Sequence, residues 1–238
     1  MKEIVKVQCI KYQYPDKTRV SICGINFIVH PKEKVALIGA NGAGKSTLLL
    51  HLAGLLKPME GKVEVFGVDP FEKFKDIGKR IGIVVQNVED QLIGPTVFDD
   101  IAFSLINYGV GKKEVERRVK EITKELKIEY LQDRIVHYLS GGEKKRVALA
   151  GALVLKPELL ILDEALAELD TEAVELNLKK IDELSKKYNA AIIMATNDME
   201  VVHKFADIIY LLDAGLITFK GSFQELLKYE KKYELCKH

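Results

Sequence analysis

Residues 34–47 read Lys34-Val35-Ala36-Leu37-Ile38-Gly39-Ala40-Asn41-Gly42-Ala43-Gly44-Lys45-Ser46-Thr47. The first five are a short apolar run bounded by turn signals, the pattern of a buried central strand. The remainder fits G-x-x-x-x-G-K-[ST], and a helical pattern follows from about Lys45 to Leu56, up to the Lys57-Pro58 stop. Strand, glycine loop and helix in that order make a phosphate cradle. Glycines let the backbone wrap an anion, successive N–H groups of Gly39, Ala40, Asn41, Gly42, Ala43 and Gly44 form a nest, and the helix N-terminus adds partial positive charge. Lys45 is expected to reach the β- and γ-phosphates, Ser46 to ligate Mg²⁺, and Thr47 completes the loop.

Working outward, strands are expected at Ile4–Val7, within residues 20–29, at Gly61–Gly67 and at Ile81–Val85. Residues 97–128 are helical and charged, with several i,i+4 opposite-charge pairs, and read as a lobe inserted into the core. Core character returns at Leu159–Asp163, followed by a helix near 171–187, a strand at Ala191–Ala195, a helix after Asp198 and a strand at Ile208–Leu212. Strands alternating with helices predict an α/β fold with a mostly parallel sheet covered on both faces. The strand Leu159–Asp163 delivers two acids, Asp163 and Glu164, at its carboxyl end, where α/β sheets hold ligands. Asp163 is read as holding Mg²⁺, mainly through water, and Glu164 as the general base that polarises the attacking water.

Composition narrows the classes. The chain has 238 residues, 30% charged and 47% hydrophobic, with a net charge of +1, so no global field points to nucleic acid and none is expected as a partner. No apolar run approaches the roughly 20 residues needed to span a bilayer, and the start of the chain lacks a signal-peptide core. Cys9, Cys23 and Cys236 are odd in number and form no C-x-x-C pair, so neither a disulfide nor a zinc site is expected. Any membrane role is expected to come from docking.

Between the two motifs lies Leu139-Ser140-Gly141-Gly142-Glu143, leading into Lys144–Ala150. Ser140, Gly141 and Gly142 can form a second anion nest at a helix start. Ser140 with Glu143 three residues on is also a capping box, which accounts for the local structure but not for the position between the motifs. Here the sequence resembles the ATP-binding cassette (ABC) ATPases, whose signature is LSGGQ, over nearly the whole chain. The resemblance implies a P-loop NTPase (RecA-like) core with an antiparallel N-terminal β subdomain and an inserted helical subdomain. The expected division is about 1–88 and 158–220 for the core, 89–157 for the helical lobe and 221–238 for a helical tail. It implies ATP and Mg²⁺ as cofactors, and a head-to-tail dimer with a second ATPase subunit whose signature caps the nucleotide in trans. Ser140 and Gly142 would then contact the γ-phosphate.

By the same resemblance, Tyr14 matches the aromatic that stacks on adenine, although a strand-end aromatic would look alike. Gln86 matches the glutamine that contacts Mg²⁺ and water and senses the membrane partner, and Asp170 belongs to the loop linking the two sites. Residues Gln86–Leu92 with Pro95–Phe103 are similar to the energy-coupling-factor and cobalt/nickel uptake ATPases. This implies an importer of a metal ion or vitamin, with a transmembrane coupling subunit, a substrate-binding membrane subunit, and a peripheral position on the cytoplasmic face of the membrane. Three positions depart from the family pattern. Ala165 stands where proline is usual, Glu168 where glycine often is, and Asn197 where a histidine contacts the γ-phosphate. Asparagine can donate an amide hydrogen bond but carries no proton or positive charge. The alternatives are therefore a slow or degenerate partner of a second ATPase, or a non-transport ABC ATPase. His203 is no obvious replacement, and His30, His51, His137 and His238 carry no motif.

Overall fold

The computed structural model describes residues 3–167, 169 and 171–235. In chain order the elements are β1 (Val5–Gln13), β2 (Arg19–Gly24), β3 (Phe27–Val29), β4 (Lys34–Ile38), α1 (Lys45–Leu52), β5 (Glu60–Val65) and α2 (Phe74–Ile77). Then come β6 (Ile81–Val84), α3 (Val97–Asn107), α4 (Lys112–Glu125), α5 (Gly141–Leu153), β7 (Leu159–Asp163) and α6 (Thr171–Tyr188). The chain closes with β8 (Ala191–Ala195), α7 (Met199–Phe205), β9 (Ile208–Asp213), β10 (Leu216–Gly221) and α8 (Phe223–Leu235). The expected helix 45–56 ends four residues early, at Leu52, where Ala53 caps it and Gly54 turns the chain at φ +72.

Two compact units divide the chain at 77/78 and 190/191, whereas the helical lobe expected from sequence ran from 89 to 157. The first unit, residues 1–77 and 191–238, holds strands in the order β3-β1-β2-β10-β9-β4-β8, with β5 also on β1. β4 runs parallel to both β8 and β9, while β1 pairs antiparallel with β2, β3 and β5. Val35, Ala36 and Leu37 are fully buried, as their unbroken apolar run requires, and each such Val or Leu contributes about 1.5–3 kcal/mol on burial. α7 and α8 cover one face through Val202 and Leu226, which pack with Ala36, Ile38, Ile209 and Phe219.

The second unit, residues 78–190, is built on the parallel pair β6–β7. α5 packs on β6, α3 and α4. Val97, Ile101 and Leu105 of α3, and Val115, Val119 and Ile122 of α4, are buried at helical spacing. The charged remainder of α4 faces outward, with Arg117 and Arg118 both on Glu114. No described helix is long and apolar enough to cross a membrane.

One expectation fails. Cys9 and Cys23 are joined by a disulfide, with Cα atoms 4.0 Å apart. The antiparallel register explains it: Ile10 lies opposite Ile22, so Cys9 falls opposite Cys23 at the next rung. Linear spacing carries no such information, because the pairing depends on where the turn falls. Cys236 lies outside the described residues.

The bridge closes a loop between residues 14 apart, and confining so short a loop in the unfolded chain stabilises the folded one by about 3 kcal/mol. The Cys9→Ser/Cys23→Ser double variant is expected to lose about that much in urea unfolding under oxidising conditions, and the wild type to match it after reduction. Equal stability of variant and oxidised wild type would contradict the account.

Candidate functional site

In the first unit, β4 ends at Ile38 and the chain turns at Gly39, where φ is +149 and a Cβ would lie 2.0 Å from the Leu212 carbonyl oxygen of β9. Only glycine fits there. Gly44, at φ +108, is the N-cap of α1 and makes no side-chain cap. The first-turn N–H groups of an α-helix have no partners within it, so an uncapped end of this kind favours an anion. Lys45 is nearly buried, and its ammonium folds across the loop to the carbonyls of Gly39 at 2.7 Å and Ala40 at 3.2 Å. Ser46 and Thr47 follow in the same turn. The Tyr14 and Thr47 hydroxyls lie 2.9 Å apart, so the aromatic proposed to stack on adenine reaches this loop. A cavity of about 430 Å³ opens beside it, lined in part by Tyr12, Gln13, Arg19 and Val20.

Parallel pairing also delivers Asn197. Leu37 lies opposite Ala195, and the Thr196 N–H bonds the Leu37 carbonyl at 3.2 Å. Two residues past the end of β8, the Asn197 amide donates to the Asn41 side-chain oxygen at 3.2 Å. Asn197 thus touches the loop of residues 39–47 itself. Asp198 begins α7 by accepting from the N–H groups of Glu200 and Val201.

The second unit carries the acids. Ile81 lies opposite Leu159 and Val84 opposite Leu162, so Gln86 and Glu164 leave the ends of β6 and β7 at the same rung. The Gln86 amide donates to a Glu164 oxygen at 3.1 Å. Glu164 has φ +47, an uncommon conformation for a non-glycine residue, which turns its backbone sharply off the strand. Asp163, one residue earlier, is 5% exposed at the strand end. Sequence reasoning gave no role to Gln91, whose amide oxygen accepts from the Val85 N–H and whose nitrogen donates to the Ile83 carbonyl, both at 3.0 Å. It satisfies β6 as a neighbouring strand would and so fixes the segment that carries Gln86. In the sequence it stood inside the stretch 86–92 without a role of its own.

Ser140 forms both halves of the capping box. Its hydroxyl accepts from the Glu143 N–H at 3.3 Å, and its own N–H donates to the Glu143 carboxylate at 2.8 Å. That backbone N–H, ahead of the Ser140 hydroxyl and Arg134, holds the Glu143 carboxyl below its usual range. Gly141 and Gly142 open α5, and apart from its chain neighbours and its own helix backbone nothing lies within 4 Å of a Cβ placed on Gly141. Gly141 lines a cavity of about 250 Å³ with Gln86, Glu164, Lys144 and Lys145, and Lys144 pairs with Glu89. Among the described residues no cluster of three or more acids, histidines or cysteines could hold a metal unaided. Asp170 and Glu168, expected in the loop linking two sites, lie outside the described residues, as does His238.

Comparison with known proteins agrees with this geometry. The family pattern described as "ABC transporter" matches residues 22–167. The chain is 42% identical over 227 residues to the energy-coupling factor transporter ATP-binding protein EcfA of Methanocaldococcus jannaschii, covering 94% of this chain and 80% of that one. It is 43% identical over 205 residues to the EcfA protein of Methanoculleus marisnigri, covering 85% and 74%. The structure of CbiO1 from Clostridium perfringens, part of the ABC transporter complex CbiONQ, superposes with a TM-score of 0.81 at 34% identity, covering 97% and 92%. A second solved structure, the ATP-binding subunit of an ABC transporter, gives 0.82 at 25% identity, covering 96% and 93%. The chain therefore belongs to the ABC transporter family of ATP-binding subunits, and it is an ATPase. Within that family it is an ATP-binding subunit of the energy-coupling-factor type.

Replacing Ser140 by alanine removes one half of the capping box and is expected to cost about 1 kcal/mol in urea unfolding at neutral pH. Because folding lowers the Glu143 pKa, its carboxylate stabilises above the ordinary value of 4.5, and that contribution fades as pH falls through the lowered value. The gap between wild type and Glu143→Gln, which removes the ionisable group, should therefore narrow in acid; a constant gap would count against the carboxylate half of the box.

Proposed function

We propose that this chain binds ATP with Mg²⁺, hydrolyses it, and so powers uptake of a metal ion such as cobalt or nickel, or of a vitamin, through membrane subunits, of which the coupling subunit docks near Gln86 and the helical lobe of about 89–157. The loop of Gly39 to Thr47 holds the phosphates, with Lys45 exchanging its carbonyl partners for phosphate oxygens. Tyr14 stacks on the base. Ser46, Asp163 and Gln86 would supply hard oxygen donors to a Mg²⁺ ion alongside phosphates and water, and the ion would neutralise charge on the phosphates. Glu164 accepts a proton from the attacking water, and Gln86, already hydrogen-bonded to it, orients both. Ser140, Gly141 and Gly142 act on the nucleotide of a second ATPase subunit, identical or different, and Asp170 links the two sites. Closure on ATP and reopening after hydrolysis drive the coupling subunit, at the cytoplasmic face of the membrane.

The observation that carries the coupling reading is an exposed apolar surface around the segment after Gln86. Ile93, Ile135 and Tyr138 are 51–72% exposed. A cavity of about 260 Å³ is lined there by Leu92, Pro95, Ile135 and Val136 together with the ion pair of Glu89 and Lys144. An exposed apolar patch beside charged groups suits a protein partner. Replacement of the exposed Ile135 by aspartate is expected to abolish co-purification with the membrane subunits and leave ATP binding by the chain alone within about twofold, less than 0.5 kcal/mol. Retained co-purification would remove this surface from the interface.

A slow site is the second reading, and the Asn197–Asn41 contact favours it, because the amide is engaged with the loop and cannot carry a proton. In the assembled complex, Asn197→His is expected to raise steady-state hydrolysis by about tenfold, roughly 1.4 kcal/mol of barrier. Glu164→Gln serves as the blank, keeping ATP bound and losing turnover. An unchanged rate in Asn197→His would mean that Asn197 does not limit turnover.

A further inference from the structure

Beside the phosphate loop, four residues of the first unit, Tyr12, Tyr14, Thr47 and His51, close a ring of contacts. The Tyr14 and Thr47 hydroxyls are 2.9 Å apart. The Thr47 carbonyl accepts from Nδ1 of His51, one turn further along α1, at 2.7 Å. The His51 imidazole meets the Tyr12 ring edge to face, centroids 5.2 Å apart and planes at 86°. Tyr12 meets Tyr14 in the same way, at 4.9 Å and 90°. The end of β1 is thereby tied to the first two turns of α1 by side chains alone.

The acceptor fixes the state of His51. A carbonyl oxygen only accepts, so Nδ1 must carry a hydrogen. His51 is fully buried, and its Nε2 has no hydrogen-bond partner among the described residues. Burial pushes the imidazole pKa below its ordinary value of 6.5, so the ring is neutral with one nitrogen unmet. Keeping such a group in the interior costs free energy that an apolar side chain would not. Leu48, Leu49 and Leu52 on the same helix are equally buried, so packing alone calls for nothing polar.

We propose that His51 is a positioning residue for nucleotide recognition: by holding the Thr47 carbonyl and the Tyr12 ring, it sets Tyr14 at a fixed distance from the phosphate loop. The role rests on the reading of Tyr14 as the base-stacking residue. His51 itself touches no nucleotide. Its effect is confined to the join between the base and phosphate halves of the site, so it governs preference for ATP over a bare triphosphate rather than affinity for phosphate.

The test compares Mg-ATP with Mg-tripolyphosphate binding by calorimetry, using the full chain and its His51→Leu, His51→Asn, His51→Gln and Tyr14→Ala variants. Asparagine can present an amide N–H near the position of Nδ1, whereas the longer glutamine carries its amide beyond it. His51→Leu is expected to lose about tenfold of the preference for ATP, and His51→Asn to recover it to within about threefold. His51→Gln should not recover it, and tripolyphosphate affinity should stay constant throughout. If His51→Leu fails to fold, the contrast between His51→Asn and His51→Gln decides. Equal ATP preference in those two, or in His51→Leu and wild type, overturns the positioning role. Loss of preference in Tyr14→Ala but not in His51→Leu removes His51 alone, whereas no loss in Tyr14→Ala overturns the stacking reading and this proposal with it.

Discussion

Parallel pairing is the constraint on which the chemistry depends. A strand in a parallel pair leaves its neighbour at the same end, so whatever follows each strand is gathered there without a dedicated scaffold. β4 and β8 do this for Asn41 and Asn197, and β6 and β7 do it for Gln86 and Glu164. For Gln86 and Glu164 the hydrogen bond between side chains follows directly from the register, whereas Asn197 extends past the rung of Gly39 to meet Asn41 further along the loop. Shifting either pair by one residue would send these side chains to opposite faces and break both contacts.

The same constraint explains how much was legible in the sequence. Buried parallel strands are unbroken apolar runs, so β4, β6, β7 and β8 could be read directly, and the motifs that follow them were placed by their neighbours. The phosphate loop is local, and its glycine spacing is its own evidence. What depends on contacts distant in the chain was not legible. The Cys9–Cys23 bridge needs the β1–β2 register, the Gln91 clamp needs the strand edge it completes, and the His51 ring needs β1 laid beside α1. β10 escaped notice because Leu216–Gly221 interrupts its apolar residues with Thr218 and Lys220. The run 20–29 proved to be two strands, since Gly24, at φ +89, turns the chain between them.

Ser140 illustrates how a structural and a functional reading can share one residue. In the conformation described, its hydroxyl and N–H are both committed to Glu143, and the cap is complete. The box takes the Glu143 N–H, and those of Gly141 and Gly142, the first two of α5, stand outside it. On the proposed reading, a helix end already organised by its own cap needs less ordering when it meets a nucleotide.

The disulfide gives the tip of the β1–β2 hairpin a closed covalent outline. The turn Tyr14–Thr18 is exposed at Pro15, Asp16, Lys17 and Thr18, the kind of loop tip that proteases cut first. Because Cys9 and Cys23 lie on either side of it, a single cut there opens a ring rather than severing a chain. The nicked strand bearing Tyr12 and Tyr14 would stay attached to the rest of the protein, and only a thiol could release it.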